Sequence, residues 1–128
     1  MLIALLAIGC TPDADSPRGV AEGFLDEHYV TMDLDAAVGY TTGLARHKVE
    51  DELNLIGDQQ IDAGTLLPSV TYGLREERPE GKDRVTFLYD GKVKLQGGGS
   101  FEMSWLVNTR RQDGAWKVSN YKELPEEE

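Results

Sequence analysis

The sequence predicts an α+β domain, in which three N-terminal helices pack on a curved, mostly antiparallel sheet of four to five strands. Three observations carry this. Apolar residues recur at helical spacing between Ser16 and Ile56, and they alternate in twos from Ser69 onward. One face of the resulting sheet is apolar and the other largely polar (Lys92, Lys94, Glu102, Ser104, Lys117, Ser119), so the helices must cover the apolar face.

Ser16-Pro17 is a strong helix start, with Ser as N-cap and Pro in the first helical position. Val20, Ala21, Phe24, Leu25 and Tyr29 then share one helical face. Asp33 can cap a second helix carrying Leu34, Ala37, Val38 and Thr41, punctuated by Thr42 or Gly43. A third helix turns Ala45, Val49, Leu53 and Ile56 inward, and Gly57 is a plausible stop. Residues 58–64 read as loop. Val70, Tyr72 and Leu74 open the alternating part, and Arg78 to Lys82 is turn chemistry. Val85, Phe87 and Tyr89 continue it, and Asp90-Gly91 is a two-residue hairpin signal. After Gly97-Gly98-Gly99, the longest alternation runs through Phe101, Met103, Trp105, Val107 and Thr109, and Asp113-Gly114 turns the chain toward Trp116 and Val118. Residues 17–124 thus form one domain, followed by an acidic tail over 125–128.

At 128 residues the chain can bury roughly two-thirds of its unfolded surface in one domain. Its single cysteine excludes an internal disulfide framework, a multi-cysteine zinc site and an iron–sulfur cluster. With 13 Lys plus Arg against 23 Asp plus Glu, the net charge is −10. That balance argues against nucleic acid as a partner, because sequence-independent binding runs on cations neutralising phosphates.

The first ten residues, Met1 to Cys10, are an uncharged apolar run that ends in Gly9 and the only cysteine. The run falls far short of the roughly 20 apolar residues that span a bilayer. A core element would not give way so abruptly to the polar Thr11-Pro12-Asp13-Ala14-Asp15. The segment resembles a bacterial lipoprotein signal, in which a short apolar run leads to a small residue and then a Cys. The resemblance implies a signal peptide over residues 1–9, with Cys10 acylated and made the new N-terminus. Residues 10–16 would then be a short linker. Each buried CH₂ of an acyl chain contributes about 0.8 kcal/mol, so an anchor of several chains is durable. The linker reaches on the order of 20 Å, which keeps the domain beside the membrane. The expected location is the bacterial cell envelope, and Thr11 after the Cys favours an outer-membrane or periplasm-facing site if the cell is Gram-negative.

Phe24 through Val38, FLDEHYVTMDLDAAV, and the Trp-bearing last strand DGAWKVSNY are similar to stretches of the nuclear-transport-factor-2-like fold. That fold is a cone with a pocket between helices and sheet, and the resemblance covers most of residues 16–123. It hosts isomerases, dehydratases, adaptors and domains with no known ligand, so it implies a shape more than an activity. Its isomerase-like members place a Tyr on the first helix and an acidic residue soon after the second. Tyr29 fits the first role, but residues 39–46 contain no carboxylate, and a carbon acid is not deprotonated without a positioned base. Asp33 and Asp35 read as cap and first-turn charges.

His28 and His47 lie on different helices without metal-ligand spacing, and both read as edge or solvated residues. Gly97-Gly98-Gly99 leads into no helix and is no phosphate loop. No catalytic residue, metal or cofactor is therefore expected. The aromatic residues read mainly as core. If the cone is open, Phe24, Tyr29, Phe87, Trp105 and Trp116 are the expected lining of a pocket for a small apolar ligand. The leading expectation is a lipid-anchored envelope protein, tied to the membrane through Cys10, whose domain is a non-catalytic interaction or small-ligand-binding module. Its oligomeric state stays open, with a monomer the expectation. The alternative is a lipid-tethered isomerase- or hydratase-type enzyme with Tyr29 as a pocket donor; a third is a structural component of the envelope with a protein partner. A second polar group converging on Tyr29 inside an open pocket would favour the enzyme, and a filled cone would deny it.

Overall fold

The structure, a computed structural model, describes residues 15–56 and 68–125. Cys10, the signal over 1–9, the stop at Gly57 and the loop that follows it lie outside the described residues. Helix α1 runs Pro17–Leu25, with Ser16 accepting from the Gly19 amide, and continues as a π-helical turn over Asp26–Val30. Helix α2 is a short turn, Leu34–Val38, capped by Asp33, whose carboxylate accepts from the Ala36 amide. Thr41, read as the last inward residue of this helix, instead leaves it. It forms a parallel bridge to Val118 and is buried there, its hydroxyl donating to the Val38 carbonyl. Helix α3 spans Gly43–Ile56 and buries Ala45 and Val49, while Leu53 is half-buried.

Four antiparallel strands follow in sequence order as a meander: β1 (Ser69–Pro79), β2 (Arg84–Lys94), β3 (Ser100–Gln112) and β4 (Ala115–Pro125). Among the described residues the sheet thus has four strands, without a fifth. The Asp90-Gly91 hairpin does not form: both residues sit inside β2, paired with Gly73 and Tyr72 on one side and with Ser104 and Met103 on the other. Val85, Phe87, Tyr89, Gly91 and Val93 keep one uninterrupted phase, so turning at Gly91 would break a register that both neighbours hold. Gly91 serves packing instead. A Cβ there would come within 2.4 Å of Trp105 Cζ3 and of the Thr71 carbonyl oxygen. The chain turns at Gly98 and Gly99 and again at Asp113 and Gly114, all with positive φ. Leu124 pairs with Ser104 inside β4, so the strand runs to Pro125.

Bulges at Arg75 in β1 and at Ser119 in β4 each add one unpaired residue and bend the sheet. In β4 the extra residue also changes which parity faces inward, so that Val118 and Tyr121 are both buried. The core packs Val20, Ala21, Phe24 and Leu25 of α1 and Ala45 and Val49 of α3 against Phe87, Tyr89, Trp105, Val107 and Val118. Helix α1 touches β2, β3 and β4, α3 touches β4, and β1 is met by the π-helical turn and, through the Tyr72 hydroxyl on the Glu22 carbonyl, by α1. Helix α2 packs on α3 and the π turn. The β1 side of the concave face is consequently under-covered.

Candidate functional site

At that under-covered side lies a cavity of about 460 Å³ between the helices and the sheet. The π turn contributes His28 and Tyr29, the link into α2 contributes Met32 and Leu34, and α3 contributes Glu52 and Leu55. The sheet contributes Val70, Val93, Phe101, Met103, Trp105 and Glu123, with Pro68 just before β1. Leu55, 85% exposed, and Phe101, 43% exposed, mark the mouth. Val93 is buried yet belongs to no packed cluster, as expected of a wall over empty space.

The polar groups of this wall are paired with one another. His28 Nε2 lies 2.7 Å from Glu52 Oε1, and the Tyr121 hydroxyl donates to the same oxygen at 3.3 Å. The Tyr29 hydroxyl donates to Glu123 Oε2 at 2.6 Å. The His28 and Tyr29 rings are 4.1 Å apart, and Tyr29 packs on Trp105 at 5.3 Å. The wider turn of a π-helix spreads successive side chains through fewer degrees, which brings both residues to one face; such turns recur at functional sites. Met32, at the cavity edge, holds a positive φ of 57°, a conformation that non-glycine residues seldom adopt.

Burial pushes the Glu52 carboxyl up, but His28, with help from Tyr121 and Lys48, outweighs it and holds the group below the usual carboxylate range. Burial first, then the bond to Glu123, raises the Tyr29 phenol far above its ordinary value, so it keeps its proton and acts as a donor. The same motif recurs on the far side of α1. There Tyr72 donates to Asp26 at 2.6 Å and Tyr89 to Glu22 at 3.2 Å, and burial followed by Asp26 and Glu22 respectively raises both phenols. Four phenol–carboxylate bonds thus lace the helical layer to the sheet. Two buried nitrogens, His28 Nδ1 and Trp105 Nε1, have no hydrogen-bond partner among the described residues.

Of the residues expected to line a pocket, Tyr29 and Trp105 line the cavity. Phe24 and Phe87 are buried in the packed core outside its lining, and Trp116 lies half-buried at the opposite end of the sheet, under the Arg111 guanidinium. His47 is exposed, but His28 is not an edge residue: it is 6% exposed and hydrogen-bonded to Glu52. Its position gives the signal, seven residues after Ala21 and four after Phe24, at the centre of the apolar stripe. Glu52 was equally visible in principle, three residues after Val49 on the inward face of α3. Glu123 was not, because it is distant in sequence and becomes a partner of Tyr29 only through β4. Among the described residues no group of three or more His, Cys, Asp or Glu is placed to hold a metal ion. None of the helices they form is long and apolar enough to cross a membrane.

No protein-family model matches the chain, and no curated protein matches it in sequence. Solved structures do match in shape. A ketosteroid isomerase-like protein from Erwinia carotovora atroseptica superposes with a TM-score of 0.67 at 12% identity, over 88% of this chain and 95% of that one. An NTF-2 like protein from Shewanella oneidensis gives 0.61 at 10% identity over 83% and 93%, and VirB8 from Agrobacterium tumefaciens gives 0.60 at 10% over 86% and 90%. These likenesses show the fold: a nuclear-transport-factor-2-like α+β cone of three helices on a four-stranded antiparallel sheet.

Proposed function

We propose that this protein is a lipid-anchored cell-envelope protein whose domain binds a small, largely apolar ligand in the cavity between the π turn, α3 and the sheet. The observation that carries the ligand reading is the cavity itself. Its volume of about 460 Å³ falls in the range of small-molecule sites, and its polar groups are mostly engaged with one another, leaving Val70, Val93, Met103 and Trp105 to present apolar surface. The anchor rests on the sequence alone, on the apolar run that ends at Cys10.

The test of the site is the fluorescence of N-phenylnaphthylamine, a neutral apolar probe. The wild-type domain should bind it and shift its emission to the blue, and Met103→Trp, which fills the cavity from the half-buried β3 position, should weaken binding by about tenfold or more. Equal binding by both proteins would overturn the reading. For the anchor, Cys10→Ser should remove the acyl mass and release the protein from the membrane fraction. A mutant that processes and partitions like wild type ends that part of the proposal.

The rival reading, a lipid-tethered isomerase- or hydratase-type enzyme, is favoured by one specific observation. The cavity is open, and its wall brings Glu123, bonded to the Tyr29 hydroxyl, together with Glu52 and His28, which supplies the carboxylates that residues 39–46 lack. In this reading Tyr29 donates to a developing oxyanion and a carboxylate takes the proton. The same variants separate the two readings. Tyr29→Phe should leave N-phenylnaphthylamine binding close to wild type, and it would abolish turnover only if the site is catalytic.

A further inference from the structure

We infer that the cavity selects its ligand by charge and takes a small amphiphile with a protonated amine head and an apolar or aromatic body. This rests on the reading of the cavity as a ligand site and adds the chemistry of the occupant. Glu52 and Glu123 are the two carboxylates on the wall, and no Lys or Arg lines it among the described residues. Glu123 accepts from a neutral phenol, Tyr29, and Glu52 from a second, Tyr121, with His28 Nε2 as a further partner of Glu52; neither phenol bond neutralises its carboxylate. Lys48, one turn before Glu52 on α3, directs its ammonium to Asn120 Oδ1 at 2.9 Å and the Tyr121 carbonyl at 2.7 Å.

A cationic head is therefore attracted here and an anionic one repelled, most strongly at low ionic strength. Two further features fit an ammonium. The Tyr29 and Trp105 rings, packed 5.3 Å apart, both line the cavity and bring π density to its wall. In the tautomer that donates Nε2–H to Glu52, His28 Nδ1 is a buried acceptor without a donor among the described residues, and an ammonium N–H is one. A carboxylate head would supply neither charge complement nor donor.

The experiment is calorimetric titration of the domain with three probes of equal chain length: octylammonium, octanol and octanoate, at neutral pH and low salt. Octylammonium should bind about tenfold or more tightly than octanoate, with octanol between them. Glu123→Gln, at an exposed position, should cut the preference for octylammonium over octanol severalfold; Glu52→Gln should act in the same direction. Octanoate binding as well as octylammonium, or a preference that survives in Glu123→Gln, overturns the inference. If octanol and N-phenylnaphthylamine bind but head charge makes no difference, only the charge selection fails. If none of the four probes binds, the ligand site itself fails.

Discussion

The two ends of the cone use similar residues, yet only one is filled. Toward the Asp113-Gly114 turn, Phe87, Val107 and Val118 meet Val20, Ala21 and Phe24 of α1 and Ala45 of α3 in a packed core, with Phe24, Phe87, Val107 and Val118 fully excluded from solvent. Toward the Gly97–Gly99 turn, Val93, Met103 and Trp105 face a cavity. The difference lies in what stands opposite. Helix α1 covers the first end, whereas over the second the helix has already opened into a π turn and α2 packs sideways on α3. A sheet face of uniform apolarity is thus closed where a helix is long enough to lie on it, and becomes a pocket where the helix gives way.

The largest effect should come from breaking the filled end. Phe87→Ala removes a fully buried ring from a site walled on all sides and should cost about 3–5 kcal/mol in urea unfolding. Val93→Ala, a buried apolar truncation on the same strand, should cost less than about 1 kcal/mol, because its methyl groups already adjoin empty space. Comparable losses at the two positions would mean that the two ends are packed alike.

The filled end was the more legible in the sequence. Ser16-Pro17, the stripe from Val20 to Leu25 and the period-two run from Phe101 to Thr109 each act locally, and each forms as its pattern requires. Local turn chemistry misled only where tertiary register opposed it. Asp90-Gly91 is a good hairpin pair in isolation, but its neighbours on both strands hold β2 straight. The site was less legible because its wall is assembled from the π turn, α3 and β4, with Tyr29 and Glu123 at 94 residues' separation. Residue type also weighed too heavily against position: a histidine in the middle of an apolar stripe is buried if a carboxylate such as Glu52 can meet it.

Gly91 stands at the border between the two ends and gives the intermediate effect. Gly91→Ala places a methyl group against the Trp105 ring and against a backbone carbonyl that cannot yield, so it should destabilise by about 1–3 kcal/mol. It should also press Trp105 toward the cavity and weaken N-phenylnaphthylamine binding. If stability falls while probe binding is untouched, the strain has been taken up by the sheet and the border is rigid. A loss below about 0.5 kcal/mol would show instead that the hollow end absorbs the methyl group freely.

The smallest effect separates the ends by pH. Glu52 is held below its ordinary value of 4.5 in the folded chain and returns to that value on unfolding. A carboxyl lowered in this way stabilises the fold above the unfolded value, and the contribution disappears as pH falls through the folded one. Its side chain is 38% exposed, so solvent screening limits the effect to less than about 1 kcal/mol. Glu52→Gln retains an acceptor for Tyr121 and removes only the charge. The stability difference between wild type and Glu52→Gln, from urea unfolding, should be open above pH 4.5 and should close as pH falls below that value. The deficit of Phe87→Ala, which involves no titrating group, should stay constant across the same window. A Glu52→Gln gap that persists at the acid end would mean that the carboxylate charge does not hold this corner together, and that the polar wall is as indifferent to protons as the packed core.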